Sequence, residues 1–306
     1  MPENKLVSMR EAVARFVPDG ASVCMGTALE ALIPFAAGHE IIRQRRRGLT
    51  LVGPISDILF DQLVGAGCVA RIQAAWVGNV SAGLGYNYRR AVEHGAPHRI
   101  EVEDHSNLSM ATALQAGAMG APYVPTRSLL GSGLVESNPS FKQARDPFSG
   151  DPVVLIPALT PDVAILHVQR ADSEGHAHCW GTLGVTRPAA LAARRLIIVA
   201  EEIWPRERIL SDPGLVLAPT LKVAAVVHEP FGAYPSPVQG CYGRGHDFYR
   251  RYHEDSRTVD GMQAWLDRWI HGVADWKGFL SRLGTDALDA VRAKAPRLSE
   301  PLDYGV

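Results

Sequence analysis

Net charge is almost missing from this chain. Its 306 residues carry 31 Lys+Arg against 32 Asp+Glu, a formal balance of −1. A nucleic-acid binder needs a basic footprint to neutralise phosphates, and this sequence has none. Lysine is scarce: Lys5, Lys142, Lys222, Lys277 and Lys294 are the whole set, and arginine supplies the rest. The arginine fork suits carboxylate and phosphate, so the bias points either to acidic small molecules or to the base composition of the gene. Only four cysteines occur, Cys24, Cys68, Cys179 and Cys241, with no C-x-x-C pair. That pattern reads as reduced thiols in the cytoplasm, not a disulfide frame. No apolar stretch reaches the ~18 residues of a membrane span. The opening MPENKLVSMREA has no apolar run of signal-peptide type.

What is present is an ordinary globular composition, 46% hydrophobic and 21% charged. Ser8 and Glu11 form a capping box that opens a helix to about Phe16. Asp19-Gly20 then turns into a buried strand, Ala21 to Met25. Helical spacing follows over 31–46, ending in the basic run Arg43 to Arg47. The alternation continues: strand Leu49 to Val52, helix Asp57 to Val64, strand Val69 to Trp76, helix through Tyr88 to Glu93, strand Arg99 to Val102, helix Asn107 to Met119. Short strands alternating with helices predict a parallel, helix-covered sheet. Residues 131–152, rich in Gly, Ser, Asn, Pro and Asp, read as a long loop. Strands are predicted again at Val153 to Ile156, Val163 to Val168, Leu196 to Ala200 and Val223 to Val227. Beyond about Thr258 the chain turns helical, and Trp265, Trp269 and Trp276 fall at packing positions.

Among possible sites, His176-Ala177-His178-Cys179 lacks the spacing of a zinc finger. A partly exposed strand with ordinary histidines explains it. There is no G-x-S-x-G elbow and no G-x-x-x-x-G-K-[ST] phosphate loop, and Gly243-x-Gly245 and Gly83-x-Gly85 lack a third glycine. What remains is a series of strand ends: Gly26-Thr27, Gly53-Pro54, Gly78-Asn79 and Glu103-Asp104-His105-Ser106. In an open parallel sheet such ends line the ligand crevice. Each glycine singly is explained by a tight turn, but four such strand ends in succession point to a site.

The order of motifs resembles the A (alpha) subunit of family I coenzyme A transferases, of the glutaconate CoA-transferase type. D-G-A-S-V-C-M-G-T-A-L-E-A-L-I-P (Asp19 to Pro34), E-D-H-S-N (Glu103 to Asn107), A-P-Y-V-P (Ala121 to Pro125), G-S-G-L (Gly131 to Leu134), P-D-V-A-I-L-H-V-Q-R-A-D-S-E-G (Pro161 to Gly175) and P-F-G-A-Y-P-S (Pro230 to Ser236) follow in the family's order. The resemblance implies an α/β fold with an open, mostly parallel sheet covered by helices, CoA-transferase/NagB-like. It implies one domain over 1–306 with a helical tail at 246–296. It implies CoA transfer between an acyl-CoA and a carboxylic acid through a glutamyl-CoA thioester. The nucleophilic glutamate would sit on a beta subunit, in a heterotetramer or larger assembly, because the Ser-Glu-Asn-Gly type motif is absent here. Coenzyme A thioester is then substrate, with no permanently bound cofactor and no metal. Gly26, Thr27, Asn79, Ser81, Ser106 and Ser132 resemble the family's substrate-contacting positions. Some relatives instead hydrolyse a carbon–carbon bond of cyclic 3-oxoacyl-CoA with an alpha-subunit glutamate. Glu103 is the candidate for that catalytic role, as a base raised in pKa by burial, or else a structural acid paired with Arg99 or His105. A third reading is a non-catalytic subunit that completes a partner's site. Basic residues usual before the motif's proline are replaced by Leu32 and Ile33, which suggests a less acidic or larger acyl group, or a different reaction.

Overall fold

The computed structural model describes residues 3–294. Its strands are β1 Ser22–Cys24, β2 Leu49–Ile55, β3 Val69–Trp76, β4 Gly78–Asn79, β5 Gly83–Leu84, β6 Glu101–Asp104, β7 Tyr123–Thr126, β8 Lys142–Arg145, β9 Pro152–Pro157, β10 Val163–Ala171, β11 Ala177–His178, β12 Arg195–Ile203 and β13 Val223–His228. The helices are α1 Met9–Phe16, α2 Phe35–Arg43, α3 Ile58–Gly65, α4 Tyr86–His94, α5 Asn107–Met119, α6 Leu134–Ser137, α7 Thr186–Ala192, α8 Arg206–Leu210, α9 His246–Asp255, α10 Val259–Leu266, α11 Trp276–Leu283 and α12 Thr285–Val291.

The main sheet runs β13-β12-β10-β1-β2-β3-β6, with every pair along that order parallel. The inner strands β10 and β12 are near-continuous apolar runs, as a sheet covered on both faces requires. The capping box forms as the sequence predicts: Ser8 Oγ accepts from Glu11 N at 3.2 Å, and Glu11 accepts from Ser8 N at 2.9 Å. Ser106 caps α5 in the same reciprocal way with Ser109.

Four expectations change. Residues 131–152 are not one long loop. They hold α6 and β8 and lead into β9, and β7-β9-β8 form a separate three-stranded antiparallel sheet. The sequence Lys-Gln-Ala-Arg of β8 is short, polar and mostly exposed, so no apolar alternation marks it. Second, this small sheet takes Val153 to Ile156 out of the main one. Its Val154 and Ile156 close a small core with Ala113, Leu129 and Phe141. Third, the helix predicted from residue 31 starts at Phe35, because Leu29 and Leu32 take positive φ and Pro34 stands at the cap. Fourth, the histidine strand is not partly exposed throughout. His178 is buried and bonds Ile209 O at 2.8 Å, while His176 bonds Asp172 at 2.7 Å.

The tail packs on this chain itself. Trp265, Trp269, Trp276 and Phe279 are buried in the main core. The rings of Trp265, Trp276 and Phe279 meet His39 of α2 edge-on, at 5.2–5.8 Å. Burying each large aromatic contributes roughly 1.5–3 kcal/mol, so the tail is a structural layer. The end of the predicted tail, at residues 295–296, lies outside the described residues.

Candidate active site

The seven parallel strands of the main sheet deliver their carboxyl ends to one edge, while β11 pairs antiparallel on β10. The strand order reverses between β1 and β10, the position where open α/β sheets bind ligands. Here that position is filled. Thr27 is buried, its Oγ1 lies 2.9 Å from Thr186 Oγ1, and its carbonyl accepts from Val185 N at 2.7 Å. A Cβ on Gly184 would lie 2.4 Å from Thr27 O, so only glycine lets this segment seat. The polar groups left open are displaced to the ends of β1, β2 and β3.

Gly26 takes φ +66°, and a Cβ there would lie 2.0 Å from Ser56 Oγ. Ser56 Oγ in turn donates to Met25 O at 3.1 Å, lacing the ends of β1 and β2 together. Asp57 opens α3 at φ 46°, ψ −137°, outside the usual regions for a residue with a side chain. Such backbone costs about 1–3 kcal/mol and persists only when its surroundings fix it. The fixing bonds are visible. Asp57 Oδ1 accepts from Val80 N at 3.1 Å, and Oδ2 accepts from Arg244 Nη2 at 2.6 Å. Both side chains of that ion pair are fully buried. Burial pushes the Asp57 carboxyl up, and the adjacent guanidinium opposes that rise.

Arg244 stacks 3.8 Å over the Tyr249 ring and donates to Ser81 Oγ from Nη2 at 3.1 Å and Nε at 3.3 Å. Its Nη1 has no hydrogen-bond partner and stands 3.8 Å from Glu30 Oε2, itself unpartnered. Burial raises the Glu30 carboxyl, with Arg244 pulling it back. Asn79 is buried: its Nδ2 donates to Tyr249 O at 2.8 Å and its Oδ1 accepts from Ser81 N at 3.1 Å. The β4–β5 hairpin is therefore anchored at Asn79 and presents Ser81.

A second cluster lies at β3 and β6. Glu103 Oε2 accepts from Gln73 Nε2 at 2.9 Å, and Oε1 stands 3.4 Å from His105 Nε2. The His105 contact, with Gln73 and Ser140, outweighs burial and holds the Glu103 carboxyl down at about 2. The expected rise is thus reversed, and the partner is His105, not Arg99. Ser106 is occupied as the α5 cap, and Ser132 Oγ donates back to Leu129 O at 2.7 Å within its own turn. The structure brings Gly26, Asn79 and Ser81 to one locus, puts Glu103 and Ser106 at a second, and leaves Thr27 in the filled gap. Sequence reasoning missed Glu30, Asp57 and Arg244. The signal for Arg244 was the Gly243-x-Gly245 pair. A Cβ on Gly245 would lie 2.7 Å from the Tyr234 ring, so the glycine lets that loop close.

A third cluster lies on the other half of the edge. Glu201 Oε1 meets His167 Nε2 at 2.6 Å and accepts from Tyr242 Oη at 2.7 Å, and its Oε2 accepts from Phe231 N at 2.8 Å.

A sequence model of coenzyme A transferases matches residues 6–229. The chain belongs to the coenzyme A transferase family. It is 38% identical over 279 residues, 91% of this chain and 98% of the relative, to the A (alpha) subunit of 3-oxoadipate CoA-transferase from Pseudomonas knackmussii. It is 30% identical to the corresponding subunit of glutaconate CoA-transferase from Acidaminococcus fermentans, over 93% of each chain. The crystal structure of that organism's glutaconate CoA-transferase superposes with a TM-score of 0.89, covering 94% of this chain and 96% of its own. The ring-cleaving hydrolase relative is more distant: an IpdA subunit of Mycobacterium tuberculosis is 28% identical over 82% of this chain and 88% of its own. The mostly parallel, helix-covered sheet of the CoA-transferase alpha chain is therefore the fold, and CoA transfer is the family's reaction. Both CoA-transferase relatives are named as one subunit of their enzymes, which implies a second. Among the described residues no helix is long and apolar enough to cross a membrane.

Proposed function

We propose that this chain, as a single unit with its tail, forms half of an active site shared with a beta subunit. The assembly moves CoA between an acyl-CoA and a short dicarboxylic acid of the 3-oxoadipate kind, the acid in the name of its 38% identical relative. The partner's glutamate attacks the thioester carbonyl and expels CoA thiolate, leaving an acyl-glutamyl anhydride. The thiolate then attacks the glutamyl carbonyl, which releases the carboxylate and leaves a glutamyl-CoA thioester. An acceptor carboxylate reverses both steps. This is covalent catalysis with ping-pong turnover.

This chain's contribution is the locus around Gly26 and Ser81, where the backbone can approach the acyl group closely and a hydroxyl reaches it. The observation that carries transfer over hydrolysis is the engagement of Glu103 within its own fold: Oε2 takes the Gln73 amide at 2.9 Å and Oε1 faces His105 Nε2 at 3.4 Å. A carboxyl held at about 2 by three neighbours is a weak base. Glu103, Ser106 and Asn79 hold the frame, Thr27 is spent on Thr186 and Val185, and Ser132 on its own turn. Leu32 and Ile33 are buried, so their apolar character is core packing and says nothing of substrate charge. The cations for the substrate's free carboxylate and the CoA phosphates come mainly from the partner.

The test is reconstitution. This chain and its beta partner are purified separately and mixed with succinyl-CoA and 3-oxoadipate. Transfer is expected only in the mixture. Transfer by this chain alone overturns the reading, as does a mixture that releases free CoA without forming a new thioester.

A further inference from the structure

Ser81 sits in an unusual electrostatic position, and its geometry decides what its hydroxyl can do. A serine hydroxyl has one proton to donate and two lone pairs to accept with. An arginine guanidinium has donors only. Nε and Nη2 of Arg244 both point at Ser81 Oγ, at 3.3 and 3.1 Å. Both lone pairs are thereby taken, and the O–H has no acceptor among the described residues. Ser81 is half-buried, in a hairpin of which residues 82–84 are exposed. Arg244 cannot swing away, because Asp57 grips Nη2 at 2.6 Å and the Tyr249 ring covers the guanidinium face at 3.8 Å. The strained backbone of Asp57 is held to make that grip.

We propose that Arg244 is a positioning residue for CoA transfer: by occupying both lone pairs of Ser81 Oγ it makes the hydroxyl an obligate donor to the thioester carbonyl oxygen. That oxygen becomes an oxyanion when the partner's glutamate attacks, and a donor fixed in advance costs no reorganisation. Asp57 holds the arginine, and Asn79 holds the Ser81 backbone. This inference rests on the transfer reading above.

The test is a double-mutant cycle in the assembled complex, with kcat and KM read separately. Ser81→Ala is expected to lower kcat about 100-fold, the loss typical of removing one oxyanion donor. Arg244→Lys keeps the charge next to Asp57 but loses the fork. It is expected to lower kcat roughly tenfold, with KM for the acyl-CoA changed less than about threefold, since the Ser81 bond strengthens as the carbonyl oxygen becomes an oxyanion. The decisive arm is the combination. If Arg244 acts through Ser81, the double variant turns over no more slowly than Ser81→Ala alone. If the two losses multiply, the proposal is overturned. Should Arg244→Lys fail to assemble, Asp57→Asn loosens the same fork and enters the same cycle. A wild-type complex that moves no CoA refutes the transfer reading and this inference with it. An active wild type with multiplying losses refutes this inference alone.

Discussion

The carboxyl edge of the sheet carries two buried polar clusters built on carboxylates that are satisfied to different degrees. On the β10–β12 side, Glu201 receives a histidine, a tyrosine hydroxyl and a backbone N–H, so both of its oxygens are engaged. On the β1–β3 side, Asp57 and Arg244 are just as buried, yet Nη1 of Arg244, Oε2 of Glu30 and the Ser81 proton are left over. Satisfied networks fix a structure, and buried groups left unpaired are costly. His167 Nδ1 is also left without a hydrogen bond, so the contrast lies in the carboxylates: Glu201 is engaged at both oxygens, whereas Glu30 keeps Oε2 free of any hydrogen bond beside Arg244.

Four substitutions break or sharpen that contrast. The largest effect on activity belongs to Ser81→Ala, the loss of about 100-fold described above, with stability lowered by about 1–3 kcal/mol because buried Nε of Arg244 loses its partner. The converse is Glu201→Ala on the β10–β12 side. It strands His167, Tyr242 Oη and Phe231 N, and should cost about 3–5 kcal/mol in denaturant unfolding, with kcat per folded complex unchanged. If Glu201→Ala abolishes turnover in a stable complex, the contrast fails. Next comes His39, the closed point of the tail. Burial, then the charge of Arg43, holds it down at about 3, against about 6.5 when unfolded. Below pH ~6.5 the unfolded chain takes up a proton that the folded one refuses. Stability is therefore fully present above that pH and falls as acid is added, by up to about 1.4 kcal/mol per pH unit until pH ~3. His39→Leu should flatten this slope in unfolding titrations between pH 7 and 4. The smallest effect is Glu103→Gln. As a locked frame residue it should change kcat less than about threefold, because the base needed for hydrolysis has a pKa near the working pH. A loss of two orders of magnitude would return Glu103 to the chemistry.

Much of the frame was legible in the residues. Val69–Trp76 and Asn107–Met119 begin and end where period and capping predict. So does α1, because a capping box is local chemistry. The small sheet was not legible, since β8 has no apolar alternation and its register is set by β9 across the chain. The site was half legible. Gly26 and Asn79 stand at strand ends, which sequence locates. Arg244 reaches Ser81 across 163 positions, and no local pattern encodes that distance. The reversal at Glu103 is mixed: its largest cause, His105, stands two residues on and was nameable from the sequence, while Gln73 and Ser140 are brought in by tertiary structure.

The central claim, that this chain frames the reaction and a partner carries its covalent intermediate, has a direct measurement. The complex is incubated with succinyl-CoA alone, quenched in acid, and both chains are weighed intact by mass spectrometry. The beta subunit should gain the mass of CoA less one water, discharged by 3-oxoadipate, while this chain stays at its unmodified mass. A CoA adduct on this chain, or no adduct on either chain in a complex that turns over, contradicts the account.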